Sequence, residues 1–244
     1  MILDRINGPK DLKTLNAAER KELAQEIRQA MLKRASIHGG HFGPDFGIVE
    51  ATIALHTVLD SPKDKIVWDV SHQVYPHKIL TGRKQAYLEE EHYDDVSGYS
   101  NPAESEHDFF EVGHTSTSIS LASGLAMARD LRGGHENIIA VIGDGSMSGG
   151  EALEGLDTVG EMGTNMIIVL NDNQMSIAEV HGGMYKGFEE LRRTGGKSEH
   201  NLFRAMGLDY RFVADGNDSE ALIKTFREVK DIDHPVVVHI VTQK

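Results

Sequence analysis

The chain has 244 residues, a net charge of −13 at neutral pH, 39% hydrophobic and 26% charged residues. This size supports one α/β domain with a real core, and this composition is that of soluble globular proteins. No apolar run reaches the roughly 18–20 residues of a membrane span, and the acidic balance disfavours nucleic acid, which calls for a basic face. A small phosphorylated ligand stays open, because a divalent cation can supply the local positive charge. The absence of cysteine excludes disulfide and thiol chemistry and makes a reducing cytoplasm the expected compartment. Residues 1–13 interrupt their apolar positions with Asp4, Arg5, Lys10 and Asp11, so they do not read as a signal peptide.

The first helix is expected over 17–37. Asn16 is its N-cap, Glu19 completes a capping box, and Leu23, Ile27, Ala30 and Met31 form an apolar stripe at helical spacing. Gly39 and Gly40 stop it. A second helix is expected over 47–59 and a short buried strand over 66–70. Residues 84–105 read as a short helix plus loop. A helix rich in Ser, Ala and Gly follows over 115–131, then a strand over 137–142, a helix over 151–162 and a strand over 165–170. Residues 178–200 are polar, with Gly182, Gly183, Gly187, Gly195 and Gly196; they read as a mobile loop of the kind that lids a site. A strand over 210–214, a helix over 219–230 and a Val-rich strand over 235–241 follow. Strands that alternate with helices and read as near-continuous apolar runs predict a parallel sheet covered on both faces. No repeat or linker divides the chain.

The richest stretch runs from Val141-Ile142-Gly143-Asp144-Gly145 to Asn171-Asp172-Asn173. An apolar strand ends in Gly-Asp-Gly, a helix-length segment follows, and a second apolar strand ends in Asn-Asp-Asn. Such a βαβ unit brings Asp144 and Asn173 together at the carboxyl ends of neighbouring parallel strands, where open α/β sheets hold ligands. A carboxylate and a carboxamide suit a hard cation such as Mg²⁺, which shares its other positions with phosphates and water. Gly143 and Gly145 let the backbone turn tightly and approach a ligand, and the following helix can aim its amides at a diphosphate. A lone Gly-Asp-Gly would equally be a strand–turn with Asp as a helix cap; the downstream motif carries the reading.

Gly113-His114-Thr115-Ser116-Thr117-Ser118 opens a helix with hydroxyls and free amides. That suits phosphate, and it also fits an ordinary Ser/Thr-rich helix start. Among 13 histidines, His41, His72 and His114 stand beside Gly or Ser at element ends, where an imidazole suits proton transfer at a carbonyl or hydroxyl. His92, His107, His135, His200 and His234 read as solvated. No G-x-G-x-x-G follows the first strand, which argues against a dinucleotide-binding domain.

The segments GGHFGPDFGIVEATIALH, IVWDVSHQVYPHKILTGR, VGHTSTSIS, VIGDGSMSGGEALEGL and VLNDNQMSI resemble 1-deoxy-D-xylulose-5-phosphate synthases, transketolase-like enzymes. GDG followed by NDN is the metal–diphosphate signature of thiamine-diphosphate enzymes, and the resemblance covers almost the whole chain. It implies the thiamine-diphosphate-binding fold, a three-layer α/β/α sandwich with a mostly parallel sheet, and thiamine diphosphate and Mg²⁺ as cofactors. It implies decarboxylation of pyruvate and transfer of the two-carbon unit to glyceraldehyde 3-phosphate. By the same resemblance Asp144 and Asn173 bind Mg²⁺ through side chains and Met175 through its carbonyl. Gly145 and Ser146 approach the diphosphate, while His72, Gly113, His114 and Thr115 line the cofactor. His41 stands beside the reactive thiazolium carbon and, with His114, is the candidate for catalytic proton handling.

The family's enzymes are more than twice as long, with diphosphate-binding, pyrimidine-binding and C-terminal domains. Residues 1–244 resemble the first alone and stop before the family's GRGY continuation. The glutamate that activates the pyrimidine and the arginines for the acceptor phosphate belong to the missing part. The expectation is therefore the diphosphate-binding subunit of a split enzyme, a homodimer or heterotetramer. A second chain supplies the pyrimidine domain and covers an apolar, small-residue surface on 115–127 or 151–162. A split transketolase using ketose-phosphate donors, a non-catalytic thiamine-diphosphate-binding module and an excised domain of a longer synthase are the alternatives. Residues 178–200 are shorter than the family's segment. Gly43-Pro44-Asp45-Phe46 replaces a more typical Ala-Ser-Gly-Leu, and Ser71 replaces a Gly; both changes sit beside His41 and His72 and bear on the substrate.

Overall fold

Five apolar runs of the sequence become five strands of one sheet in the computed structural model, which describes residues 1–176 and 178–243; Ile177, the last letter of VLNDNQMSI, and Lys244 lie outside the described residues. They are β1 (Lys65–Trp68), β2 (Ile138–Gly143), β3 (Met166–Asp172), β4 (Asp209–Val213) and β5 (Pro235–Val241). All pair in parallel, in the order β1-β2-β3-β5-β4. The longer helices are α1 (Ala17–His38), α2 (Val49–Val58), α3 (Ser118–Leu131), α4 (Gly150–Met162), α5 (Gly183–Arg193) and α6 (Ser219–Val229).

Successive strand residues point to opposite faces, so a strand buried on both faces must be apolar throughout. Ile139, Val141, Ile167, Val169, Val236 and Val238 pack with Leu55 of α2 and Leu222 and Phe226 of α6. Their neighbours Ile138, Ala140, Ile142, Ile168, Leu170 and Val237 pack with Ala122 and Ala126 of α3, Leu156 of α4 and Phe188 of α5. The result is the expected three-layer α/β/α sandwich. Helix α1 lies outside this core with its predicted stripe buried against Leu3, Leu12 and Tyr87. Its capping box forms as read: the Glu19 amide donates to Asn16 Oδ1 at 3.0 Å and the Asn16 amide to Glu19 Oε2 at 2.9 Å. The helix ends at Gly39, whose φ of +82° lies in the region glycine favours.

Strand ends shift by one or two residues, helical turns at Tyr75–Lys78 and Ile79–Arg83 stand where no element was expected, and three differences are larger. A separate turn, Gly43–Gly47, precedes α2, and α3 starts at Ser118 because Ser116 has a φ of +74°. The expected mobile loop at 178–200 contains α5. Its glycines are poor helix formers, which hid it. Met184, Phe188 and Leu191 nevertheless recur at helical spacing, and Phe188 and Leu191 are buried, so tertiary packing overrides propensity. Among the described residues no helix is long and apolar enough to cross a membrane.

Candidate active site

The register of β2 and β3 sets Gly143 opposite Asn171, so Gly-Asp-Gly and Asn-Asp-Asn leave adjacent strands at the same edge. Above that edge lies a cleft of about 580 Å³. From the expected set it gathers His41, His72, Thr115, Asp144, Gly145, Ser146, Asn173 and Met175. Gly113 and His114 are exposed and are not among its lining residues; His114 Nδ1 lies 2.7 Å from the Thr115 carbonyl oxygen. Tyr99 lines the cleft without having been singled out, and Gln73 and Asn171, named within the motifs but given no role, line it too.

Asp144 opens the helical turn Asp144–Met147 and is 1% exposed. A Cβ on Gly145 would stand 3.1 Å from Ser176 Cβ and 3.2 Å from its Oγ, so the two motif turns approach each other as closely as glycine allows. The Asn-Asp-Asn turn is folded on its own side chains. Asp172 Oδ1 accepts from the Gln174 amide at 3.2 Å, Asn173 Oδ1 accepts from the Met175 amide at 3.1 Å, and Gln174 has a φ of +63°. The donor set here is all oxygen: a buried carboxylate, a carboxamide with a second lone pair, and the Met175 carbonyl. That chemistry fits Mg²⁺ and does not select softer metals.

Asp69, buried at the end of β1, fixes the loop that crosses this edge. Its two oxygens accept the Ser116 and Ser118 amides, each at 3.0 Å, and Ser116 Oγ donates to the Ser146 carbonyl at 2.8 Å. Val70 and Ser71, which follow Asp69, have φ of +56° and +59°. A β-branched residue at positive φ is strained, and such strain collects at functional sites. Asp69 was not singled out from sequence; the signal was an acid closing an apolar strand in IVWDV.

Ser71 and Asp45, from the two segments read as departures from the family pattern, shape the His41 end of the cleft. Ser71 Oγ donates to the Val112 carbonyl at 2.5 Å and accepts the Ser100 amide at 3.0 Å, tying down the loop that carries Tyr99. The His41 ring has Tyr99 at 5.1 Å and His72 and Tyr75 at 5.8 Å, and its amide donates to the Tyr75 hydroxyl at 3.1 Å. Burial lowers the His41 imidazole below its ordinary value, more than the pull of the Gly98 backbone carbonyl raises it, which favours the neutral ring at pH 7. Asp45 is fully buried beneath, where its Oδ1 accepts the Tyr75 amide at 3.0 Å. Burial pushes this carboxyl well above the usual carboxylate range.

Two buried networks support the loops. Behind β3, His239 Nε2 meets Asp172 Oδ2 at 2.8 Å and His239 Nδ1 meets the Tyr210 hydroxyl at 2.7 Å; Arg192 also reaches Asp172 Oδ2. Burial alone would raise the Asp172 carboxyl, but His239 and Arg192 outweigh it and hold it below the usual range. Beside β1, His56 Nε2 meets His77 Nδ1 at 2.9 Å, and His77 Nε2 meets Asp108 Oδ1 at 3.0 Å. Arg83 pairs with Asp108 and Glu104, and Lys78 with Glu104 and the Ser97 carbonyl. This network pins the Tyr99 loop from below. His107, read as solvated, is half-buried and meets Ser61 Oγ at 2.8 Å.

The parallel sheet covered on both faces, with the cleft at its carboxyl edge, is the fold of the transketolases. Transketolase structures from Leishmania mexicana (TM-score 0.71, 19% identity) and Campylobacter jejuni (0.72, 18%) share the fold. They match 91% and 93% of this chain and 36% and 38% of their own. A sequence profile for 1-deoxy-D-xylulose-5-phosphate synthase matches residues 3–198 and 194–242. The chain belongs to the 1-deoxy-D-xylulose-5-phosphate synthase family. Synthase 2 of Geobacter sulfurreducens is 43% identical over 279 residues, and the synthase of Geobacillus thermodenitrificans 40% over 280, each across 100% of this chain. The chain spans 45% and 44% of the length of these relatives. The profile match breaks at 194–198, within the segment read as shorter than the family's.

Proposed function

We propose that this chain binds thiamine diphosphate through Mg²⁺ as the diphosphate-binding part of a synthase. That enzyme would decarboxylate pyruvate and pass the two-carbon unit to glyceraldehyde 3-phosphate. The observation that carries the reading is the meeting of buried Asp144 with Asn173, on register-matched strand ends, in one cleft with His41 and His72. In this reading Asp144 and Asn173 hold Mg²⁺ through side-chain oxygens and Met175 through its carbonyl. Gly145 and Ser146 approach the diphosphate, and His72 and Thr115 flank the cofactor. Gly113 and His114, exposed in this chain, would be covered only in the assembled enzyme.

When bound, the cofactor supplies the electron sink for the carbon left by decarboxylation. The chain's own residues hold and orient. Asp69 and Ser116 lock the crossing loop onto the Gly-Asp-Gly turn. His41, neutral through burial, accepts or returns a proton at a ring nitrogen beside the substrate, and Tyr99 walls that end of the cleft. Residues 1–244 form one diphosphate-binding domain, and the pyrimidine-binding half comes from a partner chain in a cytoplasmic homodimer or heterotetramer. Support for a partner comes from exposed apolar residues at the cleft and on α3. Phe42 at the cleft is 50% exposed; Met127 and Leu131 on α3 are 50% and 84% exposed.

The test is carboligation from pyruvate and glyceraldehyde 3-phosphate by the purified chain, alone and mixed with the protein encoded beside it. The reading expects activity only in the mixture. Full activity of the isolated chain contradicts the need for a partner. Cofactor binding without turnover in any mixture points to a non-catalytic module.

A further inference from the structure

Helix α5 is fastened to both motif turns. On its first turn the Tyr185 hydroxyl donates to Ser148 Oγ at 2.9 Å, and Ser148 Oγ donates to the Gly145 carbonyl at 2.9 Å. On its last turn Arg192 pairs with Asp172 Oδ2 at 2.5 Å, and Asp172 Oδ1 receives the Gln174 amide that closes the Asn-Asp-Asn turn. Between these contacts Phe188 is buried, stacked on Phe203 at 6.0 Å and edge-on to His239 at 5.8 Å. Lifting α5 as a lid would expose Phe188 and strip Asp172 of its guanidinium.

The end of α5 is closed in the same spirit. The Gly196 amide donates to the Leu191 carbonyl at 2.7 Å and the Gly195 amide to the Arg192 carbonyl at 3.2 Å, with Gly195 at a φ of +60°. This is a Schellman closure. A Cβ on Gly196 would stand 2.5 Å from Phe212 Cβ, so the closure is seated directly against β4. It falls where the family profile match breaks, at 194–198.

We propose that α5 is a fixed strap rather than a lid, and that Tyr185 and Arg192 are positioning residues that set the spacing of the two cation-holding turns. Tyr185 acts on the Gly145 side and Arg192, through Asp172, on the Asn173 side. Neither residue lines the cleft. The inference rests on the Mg²⁺–diphosphate reading of the cleft for its purpose, though the strap itself can be tested without a ligand.

Two measurements on the full chain test it. The first is amide hydrogen exchange without ligand, in wild type, Arg192→Gln, Arg192→Lys and Tyr185→Phe. Arg192→Gln should speed exchange about tenfold or more at 172–176, Tyr185→Phe by a smaller factor at 145–149, and Arg192→Lys should stay close to wild type. The second is Mg²⁺ titration at fixed thiamine diphosphate. Loss of a residue that orients metal ligands typically costs about 10–100-fold in metal affinity, so the Mg²⁺ half-saturation of Arg192→Gln should rise by that factor, with Arg192→Lys restoring most of it. Unchanged exchange and unchanged half-saturation in both Arg192→Gln and Tyr185→Phe would overturn the strap. Should Arg192→Gln not fold, Tyr185→Phe, which removes one hydroxyl, decides. Altered exchange in a chain whose wild type shows no Mg²⁺-dependent binding supports the strap and overturns the metal reading instead.

Discussion

Both edges of the sheet carry buried polar side chains, yet they are built for opposite ends. At the amino edge Arg129, 2% exposed, donates to the Glu136 and Asn165 carbonyls and to Thr164 Oγ1. Asn137 donates to Asp64 and Asp231 and accepts the Asp231 amide, and Asn165 donates to the Ile232 carbonyl. The groups answer one another in a closed circuit. At the carboxyl edge Asp144, Asn173, His41 and His72 face a cleft of about 580 Å³, and Val70, Ser71, Ser116 and Gln174, at positive φ, gather around it, while Asp231 takes the same conformation at the amino edge. A closed circuit stabilises the fold; polar groups that line a cleft are placed where a ligand can meet them. The same residue types therefore serve stability at one edge and binding at the other.

That contrast can be broken by mutation. The largest stability effect is expected at the amino edge. Arg129→Met removes a buried guanidinium and leaves several part-buried acceptors without their donor, and it should cost about 3–5 kcal/mol in urea unfolding, while a cleft change such as Asn173→Ala should cost under about 1 kcal/mol. Equal losses from the two would dissolve the distinction. Next comes Gly149→Ala, whose new Cβ would stand 2.0 Å from Ser116 Oγ and 2.7 Å from its Cβ. We expect about 1–3 kcal/mol of destabilisation, with weaker cofactor binding because the Ser116–Ser146 link is displaced.

Acid should weaken the protein through the network beneath Tyr99. Burial alone would raise Asp108 and Glu104, but His77 and Arg83 outweigh it at Asp108, and Lys78 and Ser97 outweigh it at Glu104, so both carboxyls fall below their ordinary values. Folded-state values below the unfolded ones give stability that is present above the unfolded values and lost as pH falls through the folded ones. The urea midpoint should therefore drop below about pH 4. Asp45 has the opposite sign and a smaller effect. Its raised folded value gives stability that is full below the unfolded value and lost as pH rises through the folded one. Asp45→Asn should flatten that decline, and melting temperature against pH for both proteins measures it.

Much of this molecule is legible in its sequence because the signals are local. The capping box at Asn16 and Glu19, the apolar strand runs and the two glycine- and amide-rich strand ends each lie within a few residues. The supporting parts are not local. Asp172 and His239 meet across 67 positions, and Asp69 reaches Ser116 across 47. A histidine inside the apolar run Pro235–Val241 announces a buried partner without naming it, since a buried imidazole has to be satisfied. Helix α5 was misread because its glycines outweighed a three-residue apolar stripe, and only the tertiary contacts of Phe188 and Leu191 settle the conflict. Gly113 and His114, expected beside the cofactor, stand exposed outside the cleft lining; a motif fixes residue identity and leaves side-chain placement to the loop.

The central claim is that Asp144 and Asn173 hold a cation that in turn holds a diphosphate. Calorimetric titration of the full chain with thiamine diphosphate, with and without Mg²⁺, tests it in wild type and Asp144→Ala. The account predicts binding that requires Mg²⁺ and falls by about 100-fold or more in Asp144→Ala. Mg²⁺-dependent binding that is unchanged in Asp144→Ala would contradict it.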